Sequence, residues 1–489
     1  MKHLFSLFGA KRAGRPLGVL TLMLGMMGTV ALVAGAPPAQ AAAPTGPAQL
    51  RAVATSGSSA ARAARSEGAV TPAVRRRGWT QATELSDPGS GGNFGDAVAI
   101  SGNTMVVGGN GDDNGDGSVY VFIGSGSHWT YVTTLIPSSP QAYDGFGYSA
   151  AVSSGIIVVG APDYEVGGTQ VGAAYVFTNG GSYTQQATFV DPGAAANDFF
   201  GSLVAVESSS AVMVTAPFEN GEEGAVFEYT ESGSNWQTTP STTFTAPGGS
   251  DGYGDIFGEG FALQGSTMVI GAPGAPAAPA PSTCSGSSAG AGCSTGAAYV
   301  YKDVHHTWTE EAKLVAKNGE GCSQTCSSGT DDMGGDYFGW SVGIKDSGLV
   351  AVGAPFASIP PAPDGGTSDT PNSPGTAYVF AGSGSSWAQQ AELYDPAEVT
   401  NGGQDWFGSE VAWAGKSVVT TAPFDPEGTA TGAAFVFVKQ GSGWATYPTE
   451  LTALDGAAGE GFGYNVLTTS GSLYVFVGGG PGHLYIFKK

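Results

Sequence analysis

The sequence predicts an all-β protein, a seven-bladed β-propeller that is closed by its own N-terminal strand. Three observations support this architecture: a unit with a fixed internal order recurs seven times, each unit consists of short apolar runs separated by Gly, Ser and Asn turns, and the last unit lacks one run that the N-terminal segment supplies. Repeats of this length indicate a repeat architecture, and four antiparallel strands per unit are typical of a propeller blade. No segment of helical length with a 3.6-residue apolar period follows Gly78.

The clearest copy of the unit occupies residues 144–177. It contains a Phe-Gly pair, two apolar runs joined by a tight turn, a Gly-Ala-Pro tripeptide and an Ala-Tyr-Val-Phe run. We predict strands at residues 148–152, 156–160, 173–177 and 183–189, because runs of β-branched and aromatic residues bounded by Gly, Ser and Asn form hairpins. The seven Phe-Gly pairs begin at Phe94, Phe146, Phe200, Phe257, Phe338, Phe407 and Phe462. The tripeptide positions begin at Gly108, Gly160, Thr215, Gly271, Gly353, Thr421 and Gly478.

The two ends of the repeat array complement each other. Six units continue into a fourth apolar run, whereas the seventh stops at Lys489 without one. Residues 78–85, which read GWTQATEL, resemble the fourth run of the fifth unit, residues 387–393, which read WAQQAEL. We therefore expect the N-terminal segment to form the outer strand of the last blade, which closes the ring and removes its exposed sheet edges.

The N-terminal region has the pattern of an export signal. Basic residues precede an apolar stretch at positions 17–34, and the small residues Ala39 and Ala41 follow it. We predict a signal peptide at residues 1–41 and a secreted, extracellular product. Residues 42–77 are rich in Ala, Ser, Gly and Arg, which favours a disordered linker. The propeller itself would occupy residues 78–489.

The charge of the propeller region limits its partners. Residues 78–489 contain eight Lys, no Arg and 40 Asp or Glu, a formal charge of −32. The electrostatic field of this negative charge repels nucleic acid and anionic membranes. After the signal, no apolar run has the length of a membrane span.

The four cysteines lie in two close pairs in the exported region. Cys284 precedes Cys293, and Cys322 precedes Cys326, so that two local disulfides are the simplest pairing among three possible ones. Oxidising conditions outside the cell favour such bonds, which would hold loops in place.

The repeat motifs resemble those of bacterial FG-GAP repeat proteins, relatives of the integrin α-subunit propeller. The resemblance rests on Phe146-Gly147, on the tripeptide that begins at Gly160 and on the run that ends at Phe177, and it extends over residues 78–489. It implies a seven-bladed propeller that binds extracellular proteins or glycans. Integrin-like repeats carry a calcium loop between the two motifs, but here only tight turns such as 153–155 occupy that interval, which argues against calcium at that position.

One acidic cluster outside that interval could hold calcium. Asp112, Asn114 and Asp116 have the alternating oxygen-ligand spacing of a calcium loop, although the closing carboxylate is missing. The alternative is an ordinary turn rich in Asp, Asn and Gly, and no other cofactor is indicated.

A second acidic pattern precedes the Phe-Gly pairs by two residues. Sevenfold symmetry would place these carboxylates in a ring at one mouth of the channel, where they could bind a cation or a basic group. The alternative, which we favour, is that each Asp accepts backbone N–H groups in the turn before the first strand. The positions are Asp144, Asp198, Asp255, Asp336, Asp405 and Glu460.

The sequence offers little support for catalysis. The two Gly-x-Ser-x-Gly matches lie in Gly/Ser-rich loops and not on a strand-to-helix elbow, and the propeller region has only four His. We expect a non-enzymatic binding protein. The alternative is a carbohydrate-active hydrolase or lyase that uses a carboxylate pair.

Loop lengths indicate which face binds. Long insertions occur only between the second and third strands of a blade and between one blade and the next, at residues 274–295, 315–336 and 356–375. These connections share one face of a propeller, and elaboration confined to one face is typical of binding loops on a repeat scaffold. We therefore predict recognition of an extracellular protein or glycan on this face.

Overall fold

The computed structural model describes residues 78–89, 93–111, 116–178, 182–191, 193, 195–247, 254–276, 295–305, 307–317, 336–357, 374–397, 405–425, 431–456, 461–468, 473–479 and 482–489. The predicted signal peptide and linker lie outside these residues. Seven antiparallel sheets of four or five strands and one two-stranded ribbon make up this part of the chain, which confirms the all-β, seven-bladed propeller. The seven larger sheets are the blades. Helix within it is limited to one short turn, α1 (Glu219–Glu222), and a 3₁₀ turn at Asp346–Gly348.

The blades are numbered in chain order. Blade 1 contains β2 (Phe94–Ser101), β3 (Thr104–Gly109), β4 (Ser118–Ser125) and β5 (His128–Leu135). Blade 2 contains β6 (Ser149–Ser153), β7 (Ile156–Ala161), β10 (Ala173–Thr178) and β11 (Thr184–Val190), and its long connection forms the ribbon β8 (Glu165–Val166) and β9 (Thr169–Gln170). Blade 3 contains β12 (Val204–Ser208), β13 (Ala211–Ala216), β14 (Ala225–Ser232), β15 (Asn235–Trp236) and β16 (Thr242–Thr245).

The remaining blades repeat this order. Blade 4 contains β17 (Phe261–Gln264), β18 (Thr267–Ala272), β19 (Ala297–Asp303) and β20 (Trp308–Leu314). Blade 5 contains β21 (Ser341–Lys345), β22 (Leu349–Ala354), β23 (Thr376–Ser383) and β24 (Ser386–Leu393). Blade 6 contains β25 (Val411–Ala414), β26 (Ser417–Ala422), β27 (Ala433–Gln440), β28 (Gly443–Trp444) and β29 (Thr449–Leu451). Blade 7 contains β30 (Asn465–Thr468), β31 (Tyr474–Gly479), β32 (His483–Lys488) and β1 (Thr80–Ser86).

The strand β1 joins the two ends of the propeller. It pairs antiparallel with β32, from Thr80 opposite Lys488 to Ser86 opposite His483. Its other contacts also cross between blades, since Thr83 Oγ1 donates a hydrogen bond to the Ser127 carbonyl of blade 1 at 2.9 Å. The first strands of neighbouring blades contact each other around the whole ring, including the first strands of blades 1 and 7. These first strands therefore surround the axis.

The hydrophobic core is divided among the gaps between blades. Seven clusters of buried residues each combine side chains from two neighbouring sheets. Each cluster contains one Phe of a Phe-Gly pair, and all seven of these Phe side chains are at most 2% exposed. Phe200, for example, packs on Val158 of blade 2 and on Val212 of blade 3. These Phe residues therefore pack between neighbouring blades.

The outer strands differ from the prediction in two blades. The runs predicted to be continuous near Trp236 and Trp444 are each divided into two short strands, β15 with β16 and β28 with β29. In blade 3 the sequence between them, Gln-Thr-Thr-Pro-Ser, contains Pro240, which has no N–H to donate to a ladder. Pro448 immediately precedes β29 in blade 6. The interruption leaves the order of the four strand positions unchanged.

Candidate functional site

Each blade enters its first strand through a turn built on the Phe-Gly pair. The seven Gly residues have φ between 91° and 107°, a region that disfavours residues with a side chain. In blade 2 the Gly147 N–H donates to the Gly160 carbonyl at 3.1 Å, and the Tyr148 N–H donates to the Gly145 carbonyl at 2.9 Å. This is the geometry of a type II turn with Gly at its third position. It holds the Phe-Gly motif against the tripeptide motif and directs the next residue toward the axis.

The residues that follow the Phe-Gly pairs line the axial channel. Tyr148 of blade 2 interacts electrostatically with Asp96 of blade 1, Glu259 of blade 4 and Glu410 of blade 6. Blades 2, 4 and 6 are not neighbours, so these side chains converge across the axis. Desolvation raises the pKa of Glu259 to about 7, and desolvation together with the charge of Glu259 raises the pKa of Glu410 to about 8.

Six aromatic rings form a continuous arc on the face that carries the connections between second and third strands and between blades. We name this set the aromatic arc. Successive ring centroids lie 5.2 Å apart for Tyr337 and Phe356, 5.1 Å for Phe356 and Trp406, and 4.8 Å for Trp406 and Phe424. Trp340 lies 6.3 Å from Tyr337 at one end, and Tyr464 lies 6.2 Å from Phe424 at the other. All six side chains are partly exposed. The arc extends over blades 5, 6 and 7, and Trp340 and Tyr464 follow Phe-Gly pairs and so belong to the channel lining as well.

The backbone that presents the arc is strained. The residue before the Phe-Gly pair has a left-handed conformation in six blades, with φ between 53° and 74°. Gly occupies this position in blades 2 and 7, but Phe199, Ile256, Tyr337 and Trp406 occupy it in the others. A bulky residue in this region costs about 1–3 kcal/mol, and such strain is concentrated at functional sites. The strained Tyr337 and Trp406 are both members of the arc.

The predicted ring of acidic residues lies beneath this surface. The side chains of Asp144, Asp198, Asp255, Asp336 and Asp405 are 1–5% exposed, and Glu460 lies outside the described residues. Asp144 Oδ1 accepts the Phe146 N–H at 2.8 Å, and burial raises the pKa of Asp144 to about 7. This contact fits the role that we favoured from the sequence, an acceptor of backbone N–H groups in the turn. Ligand binding by the ring stays a prediction.

Several other predicted sites lie outside the described residues. Asp112 and Asn114 of the proposed calcium loop are among them, as are Cys284, Cys293, Cys322 and Cys326. Asp116 is described and lies close enough to Asp144 to affect its pKa. The two-residue turns between first and second strands, such as the one between Ser153 and Ile156, are as short as predicted.

Sequence reasoning missed the aromatic arc and the channel carboxyls. The arc and the carboxyls occupy fixed positions in the repeat: just before the Phe-Gly pair, just after it, or just after the tripeptide. The residue type at each of these positions varies from blade to blade. Packing between consecutive blades brings the rings of the arc together, and the ring of blades brings the carboxyls of blades 1, 4 and 6 toward one axis. An alignment of the seven units by position would have shown that aromatic residues concentrate at these positions in blades 5 to 7.

Comparison with known proteins identifies the repeats. A family model described as FG-GAP repeat matches residues 79–122, 129–177 and 328–380. No curated protein matches the chain. Among the described residues, no helix has the length and apolar character to cross a membrane. The matched segments cover the first three strands of blades 1, 2 and 5, together with β1 and the outer strand of blade 1, so the chain carries FG-GAP repeats within a seven-bladed β-propeller.

Proposed function

We propose that this chain is a secreted, non-enzymatic binding propeller that recognises an extracellular protein or glycan. The ligand would contact the face that carries the connections between second and third strands and between blades. The observation that supports this proposal is the aromatic arc beside the channel carboxyls. Binding sites commonly combine aromatic surface with a few placed polar groups.

The chemistry of this surface favours a glycan over a basic peptide. The partly exposed rings offer flat apolar faces, and the ends of Tyr and Trp can also form hydrogen bonds. Because their pKa values are about 7 and about 8, Glu259 and Glu410 hold a proton for much of the time near neutral pH. A protonated carboxyl both donates and accepts hydrogen bonds, which suits neutral hydroxyl groups.

The same carboxyls argue against the hydrolase alternative. Acid–base hydrolysis of a glycoside needs one ionised and one protonated carboxyl, which requires environments that move the two pKa values apart. Here the pKa values of both Glu259 and Glu410 are raised. A panel of polysaccharides incubated with the protein should therefore show binding without hydrolysis, and hydrolysis that disappears in Glu410→Gln would contradict the non-enzymatic proposal.

The arc can be removed by a change that the fold already accommodates. Tyr337→Gly and Trp406→Gly reproduce the residue that blades 2 and 7 carry at the same left-handed position. We expect the double variant to lose binding by at least tenfold on a glycan array and in pull-downs with extracellular proteins. The array and the pull-down together distinguish a glycan ligand from a protein ligand.

The matched control is Ile256→Gly, which makes the same backbone change in blade 4 outside the arc. It should keep wild-type binding, and melting temperatures should show that all variants fold. Equal binding by the double variant and the wild type would exclude the arc as the site. Export can be checked separately by sequencing the N-terminus of the protein recovered from the medium, which should begin near Ala42.

A further inference from the structure

Three carboxylates gather between blades 2 and 3, away from the aromatic arc. Asp191 follows the outer strand β11, Asp198 precedes Phe200 and its Gly201, and Glu219 begins α1. One ligand oxygen from each lies within 4.8 Å of the others. The three side chains are 4%, 3% and 7% exposed. Among the residues that the structure describes, no other group of three carboxylates has ligand atoms this close together.

Hydrogen bonds to the backbone use only part of this oxygen set. Asp191 Oδ1 accepts the Gly193 N–H at 2.8 Å, and Asp198 Oδ2 accepts the Ala195 N–H at 2.6 Å. Asp191 Oδ2 and Glu219 Oε2 are buried, and no described residue donates a hydrogen bond to either oxygen.

A tyrosine from the adjacent strand adds an independent observation. The Tyr229 side chain is fully buried, and its hydroxyl has no hydrogen-bond partner within the part of the chain that the structure describes. Asp191 and Glu219 both act electrostatically on this hydroxyl, so it points toward the cluster. Buried polar atoms without partners are rare, and several at one place indicate a ligand or ordered water that completes their bonding.

We propose that Asp191, Asp198 and Glu219 form a calcium site that holds the connection between blades 2 and 3 against α1. Carboxylate oxygens on opposite sides of Ca²⁺ lie up to about 5 Å apart, because each bond is about 2.3–2.6 Å long, and the observed spacing fits this limit. The donor set contains only oxygen, which suits Ca²⁺ better than the nitrogen- and sulfur-binding transition metals.

Electrostatics supports a bound cation at this place. Three buried carboxylates repel one another unless a cation or protons compensate their charge. The site also differs from the position between the Phe-Gly and tripeptide motifs, where only two-residue turns occur in blades 2 and 4.

Blade 6 offers an internal control with the same residue positions. Asp395 follows the outer strand of blade 5, Asp405 precedes Phe407, and Asp425 stands two residues after Pro423, as Glu219 stands two after Pro217. All three are described, yet their ligand oxygens do not form a comparable cluster. Calcium binding should therefore depend on the blade 3 residues and not on their counterparts.

The test is thermal unfolding of the full chain, stripped of metal and titrated with Ca²⁺ or Mg²⁺. The wild-type melting temperature should rise by about 3–5 °C once Ca²⁺ exceeds its Kd about 100-fold. Glu219→Gln and Asp191→Asn should lose most of this rise, while Asp425→Asn should keep it. Because both Gln and Asn are close in size to the residues they replace and remove repulsion, we expect these variants to fold without metal.

Terbium luminescence provides a second readout that does not depend on stability. Tb³⁺ bound beside Tyr229 should emit when the tyrosine is excited, and Ca²⁺ should quench this emission by competition. Emission from Glu219→Gln should fall at least fivefold relative to Asp425→Asn. A wild-type protein that Ca²⁺ does not stabilise, or a Glu219→Gln variant that keeps the full response, would overturn the calcium site. Equal stabilisation by Mg²⁺ would overturn the choice of calcium.

Discussion

At the scale of single residues, the two repeated motifs are fixed by close contacts between backbones. Gly353 of blade 5 shows this, because a Cβ placed on it would lie 2.0 Å from the Gly408 carbonyl oxygen of blade 6. At the equivalent Gly positions in blades 1, 2, 4 and 7, an added Cβ would lie 1.8–2.3 Å from a backbone carbonyl oxygen of the next blade. Thr215 and Thr421 replace this Gly in blades 3 and 6, where the next blade lies farther away. A Cβ added to the Phe-Gly glycine of the next blade would lie 3.1–3.2 Å from the Thr Cβ.

Gly353→Ala should therefore destabilise the protein strongly. No side chain can move to relieve a contact between Cβ and a backbone oxygen, so blades 5 and 6 must separate, and we expect a loss of about 2–4 kcal/mol. Urea denaturation measures this loss. Gly443→Ala is the matched control, since its Cβ would meet nothing closer than 3.9 Å, and a change of less than about 1 kcal/mol is expected there. Equal effects of the two substitutions would contradict the packing argument.

At the scale of strands, β1 determines whether the ring is closed. It provides the partner for every residue position of β32, and His483 Nδ1 lies 2.7 Å from Glu84 Oε1 across this pair. Gln81 Oε1 also accepts the Leu454 N–H at 2.9 Å, which ties β1 to the connection before blade 7. Leu85 is buried in the cluster between blades 7 and 1.

Deletion of residues 1–86 should destabilise blade 7 and promote association between molecules. Without β1, the strand β32 becomes an edge that can pair with another chain. We expect a lower melting temperature, with larger species in size-exclusion chromatography. Deletion of residues 1–77 is the control, because it removes none of the described strands. A monomer of unchanged stability after the longer deletion would show that β1 is dispensable.

At the scale of the whole molecule, the sequence predicted the ring well because propeller architecture depends on repetition. Each Phe-Gly pair, such as Phe200-Gly201, occupies the same place in its own blade, and local pattern alone located all seven. The functional surface depends on which blades become neighbours and on which residues vary. Trp406 and Phe424 contact each other although they belong to two different motif positions, and Glu219 reaches Asp191 through a helical turn that has no recurring pattern.

The chain also has an unusual expected response to pH. Burial raises the pKa of Asp144 and Glu207 to about 7, that of Glu259 to about 7 and that of Glu410 to about 8. The native state thus retains protons that the unfolded state releases above pH of about 4–5. Because the native state binds more protons than the unfolded state, the free energy of unfolding should fall as pH rises from about 5 to about 8. The high negative charge acts in the same direction, since it grows over this interval.

Urea denaturation in EDTA at several pH values measures this trend. Each fully linked proton changes the free energy of unfolding by about 1.4 kcal/mol per pH unit at most. Asp144→Asn should reduce the slope, because Asn can still accept the Phe146 N–H but no longer takes up the proton. Gly443→Ala, which changes no titratable group, should leave the slope unchanged. Stability that rises between pH 5 and pH 8 would show that these carboxyls are stabilised in their charged form, and the channel and the turns would then have to be polar enough to solvate them.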